Sequence, residues 1–357
     1  MRQMMINWVK AGDVLGTPIL TKENRVLLNS GVVLTDKIIT RLRELGITMI
    51  TIDDDISKDV INDISKDAIN EDIVSFERRR EAMLTLEASG EAFKAGRGLD
   101  TFHLKEVVND IVEDIIFKNH ILSGIMDIRN NDTQLFAHSV NVCILAVLLG
   151  KALRLDRDKL DTLAVGAILH DVGAIKLPQS LLCKREPFSP NELALYKTHT
   201  EEGYKILRGR RDISFVSAHI AYQHHEALDG SGYPRGLAGE KFHPLAQIVA
   251  LADFYDSLVN EGPGHGRIHP YEAVEILMAK AEVLFSYELL KAFLNHIAVY
   301  PTGCIVELNS GDVGIVVSQN QSFPTRPVVR VFPGSVNSNK TLDMVKHLTL
   351  FVSKVID

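Results

Sequence analysis

The spacing of hydrophobic positions changes repeatedly along this chain, and each change marks a different kind of element. From Val9 to Asp53 short apolar runs alternate with turn residues, and one amphipathic segment, TDKIITRLRELG, follows with Gly46 placed as its stop. This predicts a small α+β module over residues 1–54. A duplication comes next, DISKDVIN then DISKDAIN (Asp55 to Asn70), whose copies differ only at Val60 and Ala68. Two copies are too few for a solenoid, so residues 55–100 read as a linker followed by a connecting helix with Ile73, Phe76, Met83 and Leu84 on one stripe. Helical periodicity then dominates residues 101–300, in segments such as LKEVVNDIVEDIIF, SVNVCILAVLLGKAL, DKLDTLAVGAILHDVG, NELALYKTHTEEGYKIL and LAQIVALADFYDSL. After Pro301 alternation takes over in CIVELNSGDVGIVVSQN and RPVVRVF, which predicts a β-rich module over residues 301–357. The fold class expected is mainly α: a helical bundle flanked by a small α+β module and a small β-rich module.

Charge narrows the function. A formal net charge of -7 and a pI near 6.0 argue against sequence-independent binding to a nucleic acid polymer, which needs a strongly basic surface. An anionic substrate must then be attracted locally. Cys143, Cys183 and Cys304 are odd in number and far apart, which disfavours a disulfide framework and favours a reducing, cytoplasmic location. Cys143 falls in an apolar helix and reads as core. The longest uninterrupted apolar run, VCILAVLLG, is far short of the ~18 residues that cross a bilayer, so no membrane span is expected.

The chemistry gathers in the central region, where His138, His170, Asp171, His199, His219, His224, His225, Asp253 and Asp256 all fall within predicted helices or at their ends. Neutral imidazole and carboxylate together suit first-row divalent metals, and one carboxylate can bridge a pair of ions. A lone helical histidine such as His219 is more often hydrogen-bonded than ligating, and it is set aside. LHDVG is a stronger signal, because a charged dipeptide at the end of the apolar run LAVGAI is costly unless paired or metal-bound. Glu226 and Asp229, beside His225, are placed to orient its ring. The Arg78–Arg80 run reads as a solvated helix face.

LHDVG, HT at His199, HHEALDGSGYP and ALADFYDSL, in this order and at these separations, resemble the HD-GYP family of bacterial cyclic-di-GMP phosphodiesterases, a branch of the HD phosphohydrolases. The resemblance spans roughly Thr101 to Tyr300. It implies an all-α catalytic domain with a centre of two or three metal ions, usually iron or manganese. Such a centre opens a cyclic dinucleotide to the linear form, pGpG, and in some members continues to GMP. Carried over by position, it implies His138, His170 and Asp253 as ligands of a first metal, Asp171 as the bridge, and His199, His224 and His225 at the second. His170 and Asp171 would thereby be catalytic. Gly232, Tyr233 and Pro234 would shape the substrate pocket and contact partners such as diguanylate cyclase domains. The connecting helix suits a homodimer contact.

Departures from the family pattern concern mostly cations. Gln134 stands where some members carry a glutamate for a third metal, so two divalent ions are expected. Ala174 replaces the usual lysine after the HD pair, with Lys176 two positions on. Downstream, Gly262 and the His265-Gly266 pair occupy the places of an arginine and a lysine, leaving Arg267 as the nearest substitute. Lys176 and Arg267 are therefore the expected substrate cations. Charge-assisted hydrogen bonds contribute about 1.5–3 kcal/mol each, so the thinned clamp matters. The leading expectation is a metal-dependent cyclic-di-GMP phosphodiesterase, slow if the clamp is truly absent. The alternatives are a catalytically weak cyclic-dinucleotide receptor or scaffold, and a phosphohydrolase of another nucleotide.

Overall fold

The computed structural model describes residues 2–6, 9–20, 26–44, 47, 49–53, 73–117, 134–184, 186–260, 268–320, 323–332 and 340–356. Its contacts divide the chain into two compact units. One holds Asp72–His120 with Ile125–His296; the other holds Met1–Glu71, Ile121–Gly124 and Ile297–Asp357. The repeat at Asp55 to Asn70, together with Gly46, Gly262 and Arg267, lies outside the described residues.

In the second of these units, strands β1 (Arg2–Met5) and β4 (Met49–Ile52) pair antiparallel, with Arg2 opposite Ile52 and Met5 opposite Met49. Strands β2 (Ile19–Leu20) and β3 (Val26–Leu28) form a second antiparallel pair. Helix α1 (Asp36–Glu44) turns Ile39 and Leu42, three residues apart, onto a core with Leu15, Leu34, Ile50 and Ile52. Toward the C-terminus, β5 (Ile305–Leu308), β6 (Val313–Ser318), β7 (Val328–Val331), β8 (Thr341–Asp343) and β9 (Val352–Ile356) make one antiparallel sheet in the order β8-β7-β6-β5-β9. Period-two alternation sends Val306, Leu308, Val316, Val329 and Val331 to one face, and Ile315 and Val317 to the other.

The helical unit contains α2 (Phe76–Lys94), α3 (Thr101–Phe117), α4 (Gln134–Ala152), α5 (Arg157–Ile168), the short α6 (Gln179–Leu182), α7 (Pro190–Arg208), α8 (Phe215–Gln223), α9 (Pro244–Val259), α10 (Pro270–Ala279) and α11 (Tyr287–Leu294). Helix α4 is its centre, with Val142 to Val147 wholly buried. By length and composition Leu135–Ala152 could cross a membrane, contrary to the expectation from VCILAVLLG alone, but 72% of that window is buried inside the protein. Its apolar character is used by the core.

Close backbone approaches set the packing around α4 and α5. A Cβ on Gly150 would stand 2.8 Å from Leu160 and Leu163, and one on Gly166 would stand 2.4 Å from Ile220. Cys143 lies in this core as expected, its thiol pushed by burial to about 12. The arginine run departs from its expectation. Arg78 pairs with Asp110 and Asp114 of α3, and Arg79 is fully buried, its Nε donating to the Val74 carbonyl at 3.1 Å. A guanidinium can be buried where fixed acceptors meet its fork, and here Asn141 of α4 supplies another at 3.5 Å.

Candidate metal centre

Five segments converge to build the site. Helix α5 ends at Ile168, and His170 and Asp171 follow where the chain tightens into a 3-10 turn, Val172–Lys176. That turn lies directly against α7: a Cβ on Gly173 would fall 1.9 Å from the His199 carbonyl oxygen and 2.4 Å from the Gly203 nitrogen. Only glycine permits this approach, which carries Asp171 to His199. Helix α7 starts with a capping box, Ser189 with Glu192, and a proline in its first turn, so its register is fixed well before His199. His224 caps the C-terminal end of α8 and His225 follows it. Helices α4 and α9 supply His138, and Asp253 with Asp256.

Three of the histidines share one device. His170 Nδ1 lies 2.7 Å from the Ala167 carbonyl, His199 Nδ1 2.6 Å from that of Tyr196, and His224 Nδ1 3.0 Å from that of Ala221. A carbonyl can only accept, so each Nδ1 carries a proton and Nε2 is the ring atom left to ligate. These atoms point inward. The Nε2 atoms of His199 and His224 are 3.2 Å apart, and they lie 3.2 and 3.5 Å from Asp171 Oδ1. Three electron-rich atoms this close repel one another unless a cation or proton lies between them. His170 Nε2 and Asp171 Oδ1 are moreover buried without a hydrogen-bond partner. The donor set thus fits a divalent cation on two independent observations.

Asp171 faces both ways. Its Oδ1 meets His199 and His224, while its Oδ2 lies 3.7 Å from His170 Nε2. Ligand-capable atoms accordingly fall into two groups, Asp171-His199-His224-His225 and His138-His170-Asp171, with Asp171 common to both. Asp253 spans the groups as well: Oδ1 is 3.0 Å from His138 Nε2 and 3.9 Å from His170 Nε2, and Oδ2 is 3.6 Å from His225 Nδ1.

Protonation follows from these surroundings. Burial pushes His170 down to about 4 despite Asp171 beside it, and burial likewise lowers His199 and His225. Burial would raise Asp171, but His170 and His199 hold its carboxyl well below the usual range. His138 is the exception: burial opposes its charge, yet Asp253 and Asp256 overcome that and hold it up to about 10. As a ligand through Nε2 it would have to give up a proton.

Around the cluster lies the loop Gly230–Leu237. The Tyr233 ring stacks on His225 at 4.7 Å and 27°, and a Cβ on Gly232 would meet the Glu226 and Ala227 backbone at 2.5 Å. The Tyr233–Pro234 peptide is cis. Glu226 does not orient His225 as its position suggests. Its two carboxylate oxygens accept from the amides of Arg235 and Leu237 at 2.9 and 2.8 Å, so it pins the loop instead. Asp229 is likewise turned away, accepting from the Ser231 amide and hydroxyl. Both reach backbone or hydroxyl donors that the loop's own fold delivers.

Other positions fall outside the cluster. Lys176 is half exposed with Nζ 3.5 Å from Glu202, and Ala174 is buried. His219 packs among Phe215 and Tyr204 and meets Gln223 through Nδ1. Helix α4 begins at Gln134, whose side chain is not among those described. Asp256 was a visible candidate but was given no role by the motif, and the structure supplies one: it accepts from His138 Nδ1 at 2.7 Å and is itself held by Asn260 Nδ2 at 2.8 Å. Its spacing of three from Asp253, on one face of α9, was the available signal.

Residues 124–288 match the HD domain family, and residues 305–357 match the KOW domain associated with HD domains. A cyclic di-GMP phosphodiesterase of Pseudomonas aeruginosa is 30% identical over 239 residues, which is 67% of this chain and 58% of that protein. One from Thermotoga maritima is 33% identical over 185 residues, 51% of this chain and 50% of its own length. The chain thus spans little more than half of these relatives. Among solved structures, an HD-GYP-type protein of Bdellovibrio bacteriovorus superposes with a TM-score of 0.54 at 22% identity, covering 82% of this chain and 97% of that one, and so shares its fold.

Proposed function

We propose that this chain, which carries an HD domain of the HD-GYP type, is a cyclic-di-GMP phosphodiesterase that works with two divalent metal ions, iron or manganese. The observation that carries the reading is the convergence of His199 Nε2, His224 Nε2 and Asp171 Oδ1, which suits a cation and lies beside a second group sharing Asp171. His138, His170 and Asp253 would hold one ion, His199, His224 and His225 the other, and Asp171 both. Two such ions would neutralise charge on a phosphodiester and on its departing oxygen.

The chain's own residues supply the rest. The carbonyls of Ala167, Tyr196 and Ala221 fix three rings in the ligating tautomer before any ion arrives, so little reorganisation accompanies binding. Tyr233, on His225, walls one side of the site and limits water there. Gly232 and Pro234 shape that wall, and the exposed loop around Arg235 is the surface offered to a diguanylate cyclase domain. Three free, dispersed cysteines suit a cytoplasmic signalling enzyme. A receptor with little turnover is the second reading, favoured by Lys176 being paired with Glu202 and not turned to the cluster.

Metal analysis of anaerobically purified protein, with chromatography of products from cyclic di-GMP, tests the proposal. Two ions per chain and appearance of pGpG are expected, with both ions lost in Asp171→Ala. Two ions retained in that variant would remove the shared carboxylate, and full metallation without pGpG would leave the receptor reading.

A further inference from the structure

The sequence leaves this site short of cations, and most lysines near it already have carboxylate partners. Lys176 meets Glu202, Lys184 meets Glu192, and Lys205 meets Glu202. Lys197 is different. It lies on α7 two residues before His199, partly buried, and among the described residues its ammonium meets no carboxylate. Instead Nζ lies 4.7 Å from the centroid of the Tyr233 ring, which stacks on His225 and lies 6.5 Å from the His199 ring. The Tyr233 ring thus joins the Lys197 ammonium to two imidazoles of the cluster.

A cation over an aromatic face is attracted to it, but the ring accepts no conventional hydrogen bond, so N–H donors remain for an anion. We infer that Lys197 is the substrate cation of this site: it grips the phosphate that is not being cleaved, across the Tyr233 ring from the scissile one. This takes over the task of the clamp lysine whose place is the buried Ala174. The second phosphate follows from position, since the Tyr233 ring meets both Lys197 Nζ and the ring of His225, itself a proposed ligand, at 4.7 Å. A dinucleotide carrying two phosphates meets both features at once, whereas a simple phosphodiester meets only the ions. Lys197 therefore acts in specificity, and the inference rests on the phosphodiesterase reading above.

The test compares full-length, metallated wild type with Lys197→Met and Lys197→Arg on cyclic di-GMP and on bis(p-nitrophenyl) phosphate, with metal content measured for each. Loss of a charge-assisted contact should lower kcat/KM of Lys197→Met on cyclic di-GMP about tenfold or more, chiefly through KM. The loss should be at least about fivefold smaller on bis(p-nitrophenyl) phosphate, which has one phosphate only. Lys197→Arg, keeping the charge, should recover most of the cyclic di-GMP activity. Equal losses on both substrates, or a fall in metal content, would mean that Lys197 is structural and would overturn the inference. So would a Lys197→Met variant as active as wild type on cyclic di-GMP, while leaving the enzyme reading intact. A wild type that cleaves bis(p-nitrophenyl) phosphate but neither binds nor cleaves cyclic di-GMP would overturn both.

Discussion

His138 is held between two carboxylates of one helix: Nδ1 is 2.7 Å from Asp256 and Nε2 is 3.0 Å from Asp253. Asp253 and Asp256 are three residues apart on α9, so one helical face supplies both, and Asn260 fixes the second by a further bond at 2.8 Å. The ring is thereby held in the orientation that the proposed metal ligation through Nε2 would need. Partners of this kind typically change metal affinity about 10–100-fold. Asp256→Ala should therefore weaken one of the two proposed ions at least about tenfold, read by competition with a chelator, while Asp256→Asn, which keeps an acceptor, weakens it less. Equal affinity in wild type and Asp256→Ala would show that α4 packing alone orients His138.

Gly173 makes a sharper structural prediction. A methyl there would overlap the His199 carbonyl at 1.9 Å and the Gly203 nitrogen at 2.4 Å, and both obstacles are backbone. The 3-10 turn and α7 would have to separate, at a cost of about 3 kcal/mol or more. Gly173→Ala should lower urea stability by that amount and lose the proposed second metal first, because the displaced element carries His199. Gly209, with nothing within 4 Å and an αR backbone, is the control: its alanine variant should match wild type. Similar stability for both variants would show that the close approach relaxes freely.

The cluster was legible because metal chemistry restricts residue type: histidines and aspartates that could ligate an ion recur in order along the helices, and the structure brings His138, His170, Asp171, His199, His224, His225 and Asp253 together. The helical and β-rich regions were legible because periods of 3.6 and 2 differ. What stayed hidden depends on contacts between distant segments. Nothing local says that Arg79 will meet Asn141, 62 residues away, and so be buried. Nothing in LHDVG says that its glycine touches α7, or that Lys197 will lie over Tyr233. Glu226 misled because adjacency to His225 suggested a partner, whereas the chain folds back to present the amides of residues 235 and 237. Arg267 and Gly262 fall outside the described residues.

Glu226 in turn predicts the order of its loop. It is 3% exposed, and each oxygen accepts one backbone amide, from Arg235 and from Leu237. Glu226→Gln replaces one acceptor by a donor facing a donor, leaving a buried amide unsatisfied at about 1–3 kcal/mol. Hydrogen exchange over residues 233–240 should quicken roughly tenfold, while that of α9 is unaffected. Unchanged protection at Arg235 and Leu237 would show that Gly232 packing holds the loop without the carboxylate.

Acid stability should carry the signature of Asp212, between α7 and α8. Its carboxylate accepts from the Thr101 hydroxyl at the start of α3 and from Arg210 Nη2 at 3.1 Å and Nε at 3.2 Å. Burial would raise its pKa, but the Thr101 and Arg210 hydrogen bonds prevail and bring it from 3.8 down to about 2. A pKa depressed by folding means that the stabilisation is complete above the unfolded value and is lost as pH falls through 3.8 toward about 2. The side chain is 45% exposed, so solvent screening limits the contribution to about 0.5–1 kcal/mol. Asp212→Ala should accordingly melt about 2 °C below wild type at pH 7, both proteins being stripped of metal so that ion release does not enter. That gap should hold at pH 5 and close between pH 4 and 2, where the wild-type carboxylate takes up its proton. A gap that persists at pH 2 would mean the residue acts through packing or backbone geometry and not through its charge; no gap at pH 7 would mean that Arg210 gains as much from water as from Asp212.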